Sequence, residues 1–457
     1  MEIQCMVRMI GALAVVALMA TSGCASKSST PGEMLVGVAK IDITPTTPVR
    51  MYGYSSRKIE SEGIAGRLKA SALVIDQNDG NGPAVLLTVD NGATPVAIRE
   101  EVFNRISAKV KLAPDRFVLA NAHIHSGPDL DGMKSLTGEQ REHLEQYARQ
   151  LTDQLVQVVE KALANRQPGD LAWTEGAVGF ACNRRVLKDG KWSGFGLVPE
   201  APADHRLPIM RISDANGKLL GVLVNYACHD TTLRPNFTQL HADWAGCAQE
   251  YIEADNPGAV ALISLGCGAD SDPRPHGTVE LCQEHGHEMA DEVKRLLAGP
   301  FKPLTGKLTT KSATVQIPYP PLPSIEELRK VADKSYPADN LLKQLERGEK
   351  PPTALNYPIT TWTIGKELAM VFLSNEVVVD YDLRLKRELD KSRLWIGAYN
   401  QEVKGYVASD RLIGEGGYEV SNSLSARVTY GHPEQLKPSM EDRIVGQVKQ
   451  MLGKHFE

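Results

Sequence analysis

AVLLTVDNGATPVAIREEVFNRISAKVKLAPDRFVLANAHIHSGP, residues 84–128, carries the assignment of the fold. Ala84 to Val89 is an unbroken apolar run of strand length that ends in Asp90. Pro95 then opens Val96 to Val110, where the apolar residues return at helical spacing. Arg116 to Ala120 is a second short apolar run, ending at Asn121-Ala122-His123-Ile124-His125-Ser126-Gly127-Pro128. A strand, a helix and a strand, with polar residues just past each strand, make the repeating unit of an α/β protein, whose functional groups collect beyond the carboxyl ends of the strands.

The pattern recurs outward from this segment. Leu219 to Tyr226 runs into Cys228-His229-Asp230, and Ala259 to Leu265 into Gly266-Cys267-Gly268-Ala269-Asp270-Ser271-Asp272. Thr137 to Asn165 reads as one or two helices, with Thr137 and Gln140 spaced as a capping box. A proline-rich connector, Ile317 to Ser324, leads into a helix at Ile325 with Ser324 as its N-cap. Thr360 to Ile364 and Leu368 to Leu373 flank Gly365-Lys366-Glu367 as a hairpin, and the second strand leads into Ser374-Asn375-Glu376. The expected fold class is α/β, with a core at 36–300 and residues 301–457 continuing the same unit.

The chain has 457 residues, of which 42% are hydrophobic and 23% charged, the composition of an ordinary globular protein. Lys plus Arg number 51 against 56 Asp plus Glu, a net charge of −5 with the signs interleaved, so there is no basic footprint for nucleic acid. Seven cysteines, none in a CxxC spacing, leave histidine and carboxylate to hold any metal. Met9 to Ala20 is an apolar run too short to span a membrane, preceded by Arg8 and followed by small residues up to Cys24. Residues 1–23 are therefore expected to be a lipoprotein-type signal peptide and residues 24–35 a polar tether. Cys24 would be lipidated, anchoring an exported protein to a membrane facing the periplasm or outside; ordinary secretion is the alternative. In an oxidising compartment one or two pairs among Cys182, Cys228, Cys247, Cys267 and Cys282 could form disulfides.

Three strand ends deliver His123 with His125, His229 and Glu376. At i and i+2 of a strand the two histidines share a face, and imidazole with carboxylate suits zinc. The same residues also fit exposed or hydrogen-bonded histidines. Asp270 or Asp272 with Glu376 could alternatively form the carboxylate pair of a glycosidase, which needs a separation of about 5–9.5 Å. His285 and His287 lie at i and i+2 of a helical pattern and point to different faces, so that pair is not a chelate.

Several motifs together resemble one family. They are Val38-Ala39-Lys40-Ile41-Asp42-Ile43-Thr44-Pro45, the Met51-Tyr52-Gly53-Tyr54 turn, NAHIHSGP at 121–128 and Asn183-Arg184. To these are added NYACH at 225–229, His241-Ala242-Asp243-Trp244, Glu376, Gly405-Tyr406-Val407 and Tyr418-Glu419. In this order they resemble the catalytic domain of the neutral/alkaline non-lysosomal ceramidases, over about 36–430. The resemblance implies mixed sheets flanked by helices and a zinc ion held by His123, His229, Glu376 and Tyr406. It also implies His125 beside the metal, and Arg184 lining the site, where its planar fork suits substrate oxygens.

Two departures stand beside the resemblance. The family's glycine-rich loop carries Gly-Asp-x-Ser-Pro, and aligning it on Asp270 and Pro273 puts Asp272 where the catalytic serine belongs, with Ser271 one place early. The family also carries a C-terminal immunoglobulin-like domain, whereas this chain ends at Glu457 soon after a helix near Met440 to Leu452. The expectation is a single ceramidase-like catalytic-type unit at 36–457, a zinc-dependent hydrolase acting on an amide or ester of an acylated lipid or sugar. His125 or Asp272 would be the general base, Asp272 being equally suited to orienting a ligand, with Asp270 in a supporting place. A non-catalytic, metal- or ligand-binding descendant of the fold is the rival from a different class.

Overall fold

A computed structural model describes residues 33–428 and 438–457; residues 1–23, expected to be a signal peptide, and Cys24 lie outside the described residues. The long sheet is built from β1 (Leu35–Asp42), β2 (Lys69–Asp76), β3 (Ala84–Val89), β4 (Phe117–Asn121), β5 (Gln167–Ala177), β6 (Arg206–Asp214) and β7 (Leu219–Tyr226). It continues with β8 (Val260–Leu265), β9 (Lys302–Leu304), β10 (Leu308–Pro318), β11 (Ala354–Ile364), β12 (Leu368–Ser374) and β13 (Leu394–Asn400). Strand order is β8-β7-β6-β5-β1-β2-β3-β4-β13-β12-β11-β10, with β9 added to β5. Strands from before and after residue 300 thus share one sheet.

Three pairs in this mixed sheet are parallel, and each is a strand–helix–strand unit. β3 and β4 are joined through α1 (Val96–Ser107), β7 and β8 through α3 (Asp243–Asp255), and β12 and β13 through α5 (Val379–Glu388). The two halves of the sheet are linked only where Leu35 and Val36 of β1 meet Pro168 and Gln167 of β5. That short hinge lets them fold face to face. Along each strand successive side chains alternate faces. Leu86, Val118, Leu223, Leu262, Met370 and Trp395 point into the layer between the halves. Their neighbours Val85 and Leu119 face α1 and α2 (Gly138–Ala164), while Val222, Val224 and Ile263 face α3 and α4 (Val279–Leu297). α6 (Met440–Leu452) lies on β10 and β11 and beside α5, with Tyr381, Leu385, Ile444 and Val448 in the same apolar layer. Both faces of the central strands are therefore dry, which is why they read as continuous apolar runs. Truncating one such leucine to alanine costs about 2–5 kcal/mol.

Several local expectations are met and others corrected. Ser324 forms a full capping box with Glu327, and β11 and β12 form the expected hairpin around Gly365. Residues 138–164 are a single helix, but the side chain of its N-cap, Thr137, accepts no hydrogen bond, so the Thr137–Gln140 box is not made. The five cysteines Cys182, Cys228, Cys247, Cys267 and Cys282 are free and buried rather than paired. Among the described residues no helix is long and apolar enough to cross a membrane.

Candidate metal centre

The carboxyl ends of all three parallel units converge. β4 ends at Asn121, and His123 lies just beyond it with φ of +55°, its N–H bonded to the Asn91 carbonyl in the loop after β3. His123 and His125 are thus not side by side on a strand, as the i, i+2 spacing predicts. The left-handed turn at His123, rather than strand alternation, aims both rings at one point. His229 follows β7, its N–H held by the Ser271 carbonyl. Glu376 follows β12 after a left-handed Asn375 (φ +66°) and sits in a two-residue strand paired in parallel with Tyr406 and Val407. Glu376 is directly opposite Tyr406, so a backbone register brings together two residues thirty positions apart.

One ring nitrogen from each of His123, His125 and His229 lies within 4.8 Å of the others. His123 and His229 are buried; His125, partly exposed, marks the open side. Nδ1 of His123 is 2.8 Å from the Gly92 carbonyl oxygen, and Nδ1 of His229 is 3.1 Å from that of Gly268. A carbonyl only accepts, so in each ring Nδ1 carries a proton and Nε2 turns inward, the usual support of a ligating histidine. Those nitrogens stand 3.2 and 3.3 Å from Oε2 of Glu376. Burial, then the Arg184 guanidinium, hold His229 below the ordinary imidazole range, so it is neutral. A lone pair then faces a carboxylate, and Nε2 of His229 and Oε2 of Glu376 have no hydrogen-bond partner. A cation between them satisfies both atoms. Burial alone would raise the Glu376 carboxyl; positive charge at His123 and His229 would hold it well below its usual range, and beside neutral rings a bound cation supplies that charge and keeps it ionised to ligate. Burial, then His123 and His229, likewise push His125 well down, leaving it a neutral imidazole.

Tyr406 stands beside this cluster, its ring stacked with that of His229 at 6.4 Å between centroids. Its hydroxyl oxygen accepts a hydrogen bond from Nη2 of Arg184 at 3.1 Å. The same guanidinium donates from Nε to Glu419 at 2.9 Å and from Nη1 to Asp272 at 3.0 Å. Burial and the Glu376 carboxylate push the Tyr406 phenol up, so it stays protonated unless a cation lies beside it. Two nitrogens and two oxygens, with His125 adjacent, are a donor set suited to zinc.

Asp272 is bound to Arg184 rather than to a histidine. Burial by itself raises it, but Arg184 and then His229 bring it below the usual carboxylate range. Ser271, adjacent on the short strand Ser271–Pro273, projects to the opposite side, and its Oγ has no hydrogen-bond partner. Both oxygens of Asp270 are engaged, one by the Val379 N–H at the start of α5 and one by Asn183. Burial raises its carboxyl to about 6.

Aromatic rings wall the cluster. Tyr52 lies edge-on to His123 and His125 at 5.5 and 5.6 Å, Tyr54 edge-on to His125 at 4.9 Å, and Tyr399 4.6 Å from His123. Sequence reasoning assigned none of these a place. The Met51–Tyr54 turn was a usable signal; Tyr399, on an apolar strand, offered none. Gly53, with φ of +93°, is required here, because a Cβ would fall 2.2 Å from Cγ of His125.

Residues 34–265 match the family described as neutral/alkaline non-lysosomal ceramidase, N-terminal. The neutral ceramidase of Pseudomonas aeruginosa is 29% identical over 229 residues, 48% of this chain and 33% of that protein. That of Drosophila pseudoobscura pseudoobscura is 26% identical over 308 residues, 64% of this chain and 42% of the relative. The chain thus spans about a third to two fifths of the length of these relatives. The crystal structure of the Pseudomonas aeruginosa neutral ceramidase aligns with a TM-score of 0.68 at 20% identity, over 92% of this chain and 75% of that one. A ceramidase complexed with C2 aligns with a TM-score of 0.69 at the same identity.

Proposed function

The chain belongs to the neutral/alkaline non-lysosomal ceramidase family, and on that premise we propose that it is a zinc-dependent hydrolase cleaving the amide bond of an N-acylated compound. The observation that carries the reading is the facing pair of buried, unpartnered atoms, Nε2 of His229 and Oε2 of Glu376, inside a cluster of three imidazoles. His123, His229, Glu376 and Tyr406 would hold the metal. Bound zinc lowers the pKa of a water to about 7 and polarises a carbonyl.

The chain's own residues supply the remaining chemistry. His125, kept neutral and turned toward the cluster through Nε2, accepts the proton of the attacking water and returns it to the leaving nitrogen. Asp272 suits that role less well, because Arg184 lowers its basicity and holds its Oδ1. Arg184 positions the Tyr406 hydroxyl from a guanidinium fixed at its far side by Glu419. The paired-carboxylate reading loses support because both oxygens of Asp270 are occupied and Asp272 is bonded through Oδ1 to Arg184. Export, directed by residues 1–23 with an anchor at Cys24, belongs to the same proposal.

The test is a panel of N-acyl and acyl-ester substrates given to the full chain before and after chelation. Amide turnover that chelator abolishes and zinc restores is the expected result. Tight ligand binding with no turnover anywhere on the panel would overturn the proposal in favour of a binding descendant of the fold.

A further inference from the structure

Asp272 is surrounded by more positive charge than it can balance. Its Oδ1 accepts from Arg184 at 3.0 Å, while its Oδ2 lies 3.7 Å from Arg234 and 3.6 Å from Arg274, beyond hydrogen-bond reach of both. Arg234 makes no side-chain hydrogen bond among the described residues; its guanidinium stands 5.9 Å over the Tyr54 ring. Arg274 spends one N–H on the Gly196 carbonyl, and its Nε is buried with no partner. Arg184 has Glu419 as a further counter-ion, but Arg234 and Arg274 share only the far oxygen of a carboxylate already bonded elsewhere. Two guanidiniums, 35% and 20% exposed, thus face one carboxylate oxygen at 3.7 and 3.6 Å, and a second anion would balance the remaining positive charge. Planar forks with free N–H groups fit a carboxylate, sulfate or phosphate.

The pair is connected to the metal centre through single side chains: Asp272 joins both arginines to Arg184, and Tyr54 joins Arg234 to His125. Tyr54 packs at 4.9 Å against His125, the partly exposed histidine, and the Arg234 guanidinium lies 5.9 Å from the centroid of that same ring, which Arg57 also approaches at 5.3 Å. One aromatic ring therefore contacts both the proposed general base and Arg234. Arg184, bonded to the same Asp272, lies over Phe195, which is 52% exposed and packs on Tyr418, itself against Tyr406.

We propose that Arg234 and Arg274 form an anion subsite that selects N-acyl substrates bearing a negatively charged group, such as an N-acyl amino acid, over neutral amides. This rests on the hydrolase reading above, and the experiment separates the two. With zinc-loaded full-length protein, kcat/KM is compared for N-lauroyl-glutamate and N-lauroyl-ethanolamine, in wild type, Arg234→Gln, Arg274→Gln and Arg234→Lys. Binding of the non-hydrolysable dodecanesulfonyl-glutamate and dodecanesulfonyl-ethanolamine is measured in parallel by calorimetry. Wild type is expected to favour the anionic member at least tenfold in both readouts. Each Gln variant should cut that ratio about tenfold, Arg234→Lys should keep most of it, and added salt should erode it. A wild-type ratio at or below one, or a ratio unmoved by both Gln variants, would overturn the subsite. Charge-selective sulfonamide binding without turnover of either amide would keep the subsite and overturn the hydrolase.

Discussion

Replacing Arg184 by methionine removes one guanidinium and strands the groups it serves. The side chain is 8% exposed and makes three hydrogen bonds, to Asp272, Glu419 and the Tyr406 hydroxyl. Breaking a buried ion pair by deleting one partner costs about 3–5 kcal/mol, because the other charge is left buried and uncompensated. Here Glu419 keeps Arg185, and Asp272 keeps Arg234 and Arg274 at longer range, which brings the figure to the lower end, about 3 kcal/mol. Urea unfolding followed by tryptophan fluorescence measures it: Arg184→Met should lower the midpoint with little change in slope. The double variant Arg184→Met/Asp272→Asn should recover about 1–2 kcal/mol, since neutralising Asp272 removes the stranded charge. A cost below about 1 kcal/mol, the level of a surface ion pair, or strict additivity of the two substitutions, would refute the reasoning.

Three further outcomes follow from the geometry. His229, a proposed ligand, is held below the ordinary imidazole value of 6.5 by burial and Arg184, so its neutral, metal-binding form persists to lower pH than in a free histidine; zinc release followed with an indicator should have its midpoint below 6.5, and release at or above it would contradict the shift. Gly53→Ala places a Cβ against the His125 ring at a left-handed φ and should cost at least about 1 kcal/mol and reduce turnover, visible in thermal unfolding and initial rates. The Tyr399 hydroxyl is buried without a hydrogen-bond partner beside His123; Tyr399→Phe should change stability by less than about 1 kcal/mol while lowering turnover, and unchanged kinetics would remove Tyr399 from the site.

How much was legible in the sequence depends on which force wrote the signal. The strand ends bearing His123, His229 and Glu376 stand out because apolar runs must stop where backbone and side chains turn polar. The folding of the sheet onto itself does not, because a face buried against a second sheet and one buried against a helix select the same residues; Leu86 and Val85 differ in surroundings, not in chemistry. Tyr406 came from family resemblance alone, and its cause is the register that sets it opposite Glu376. The turn at His123 escaped the reading because a positive φ at histidine has no composition signature. The Thr137 box failed for a related reason, since spacing permits a cap without requiring it. Arg234 and Arg274 were unremarked because loop arginines acquire meaning only once the fold sets them around one carboxylate.

The central claim is that His123, His229, Glu376 and Tyr406 hold a metal ion. Elemental analysis of the purified full chain tests it most directly: wild type should carry about one equivalent of zinc, and the His123→Ala/His229→Ala variant, still folded by circular dichroism, should carry none. A wild type that takes up no metal after incubation with zinc, or a double variant that retains a full equivalent, would contradict the account.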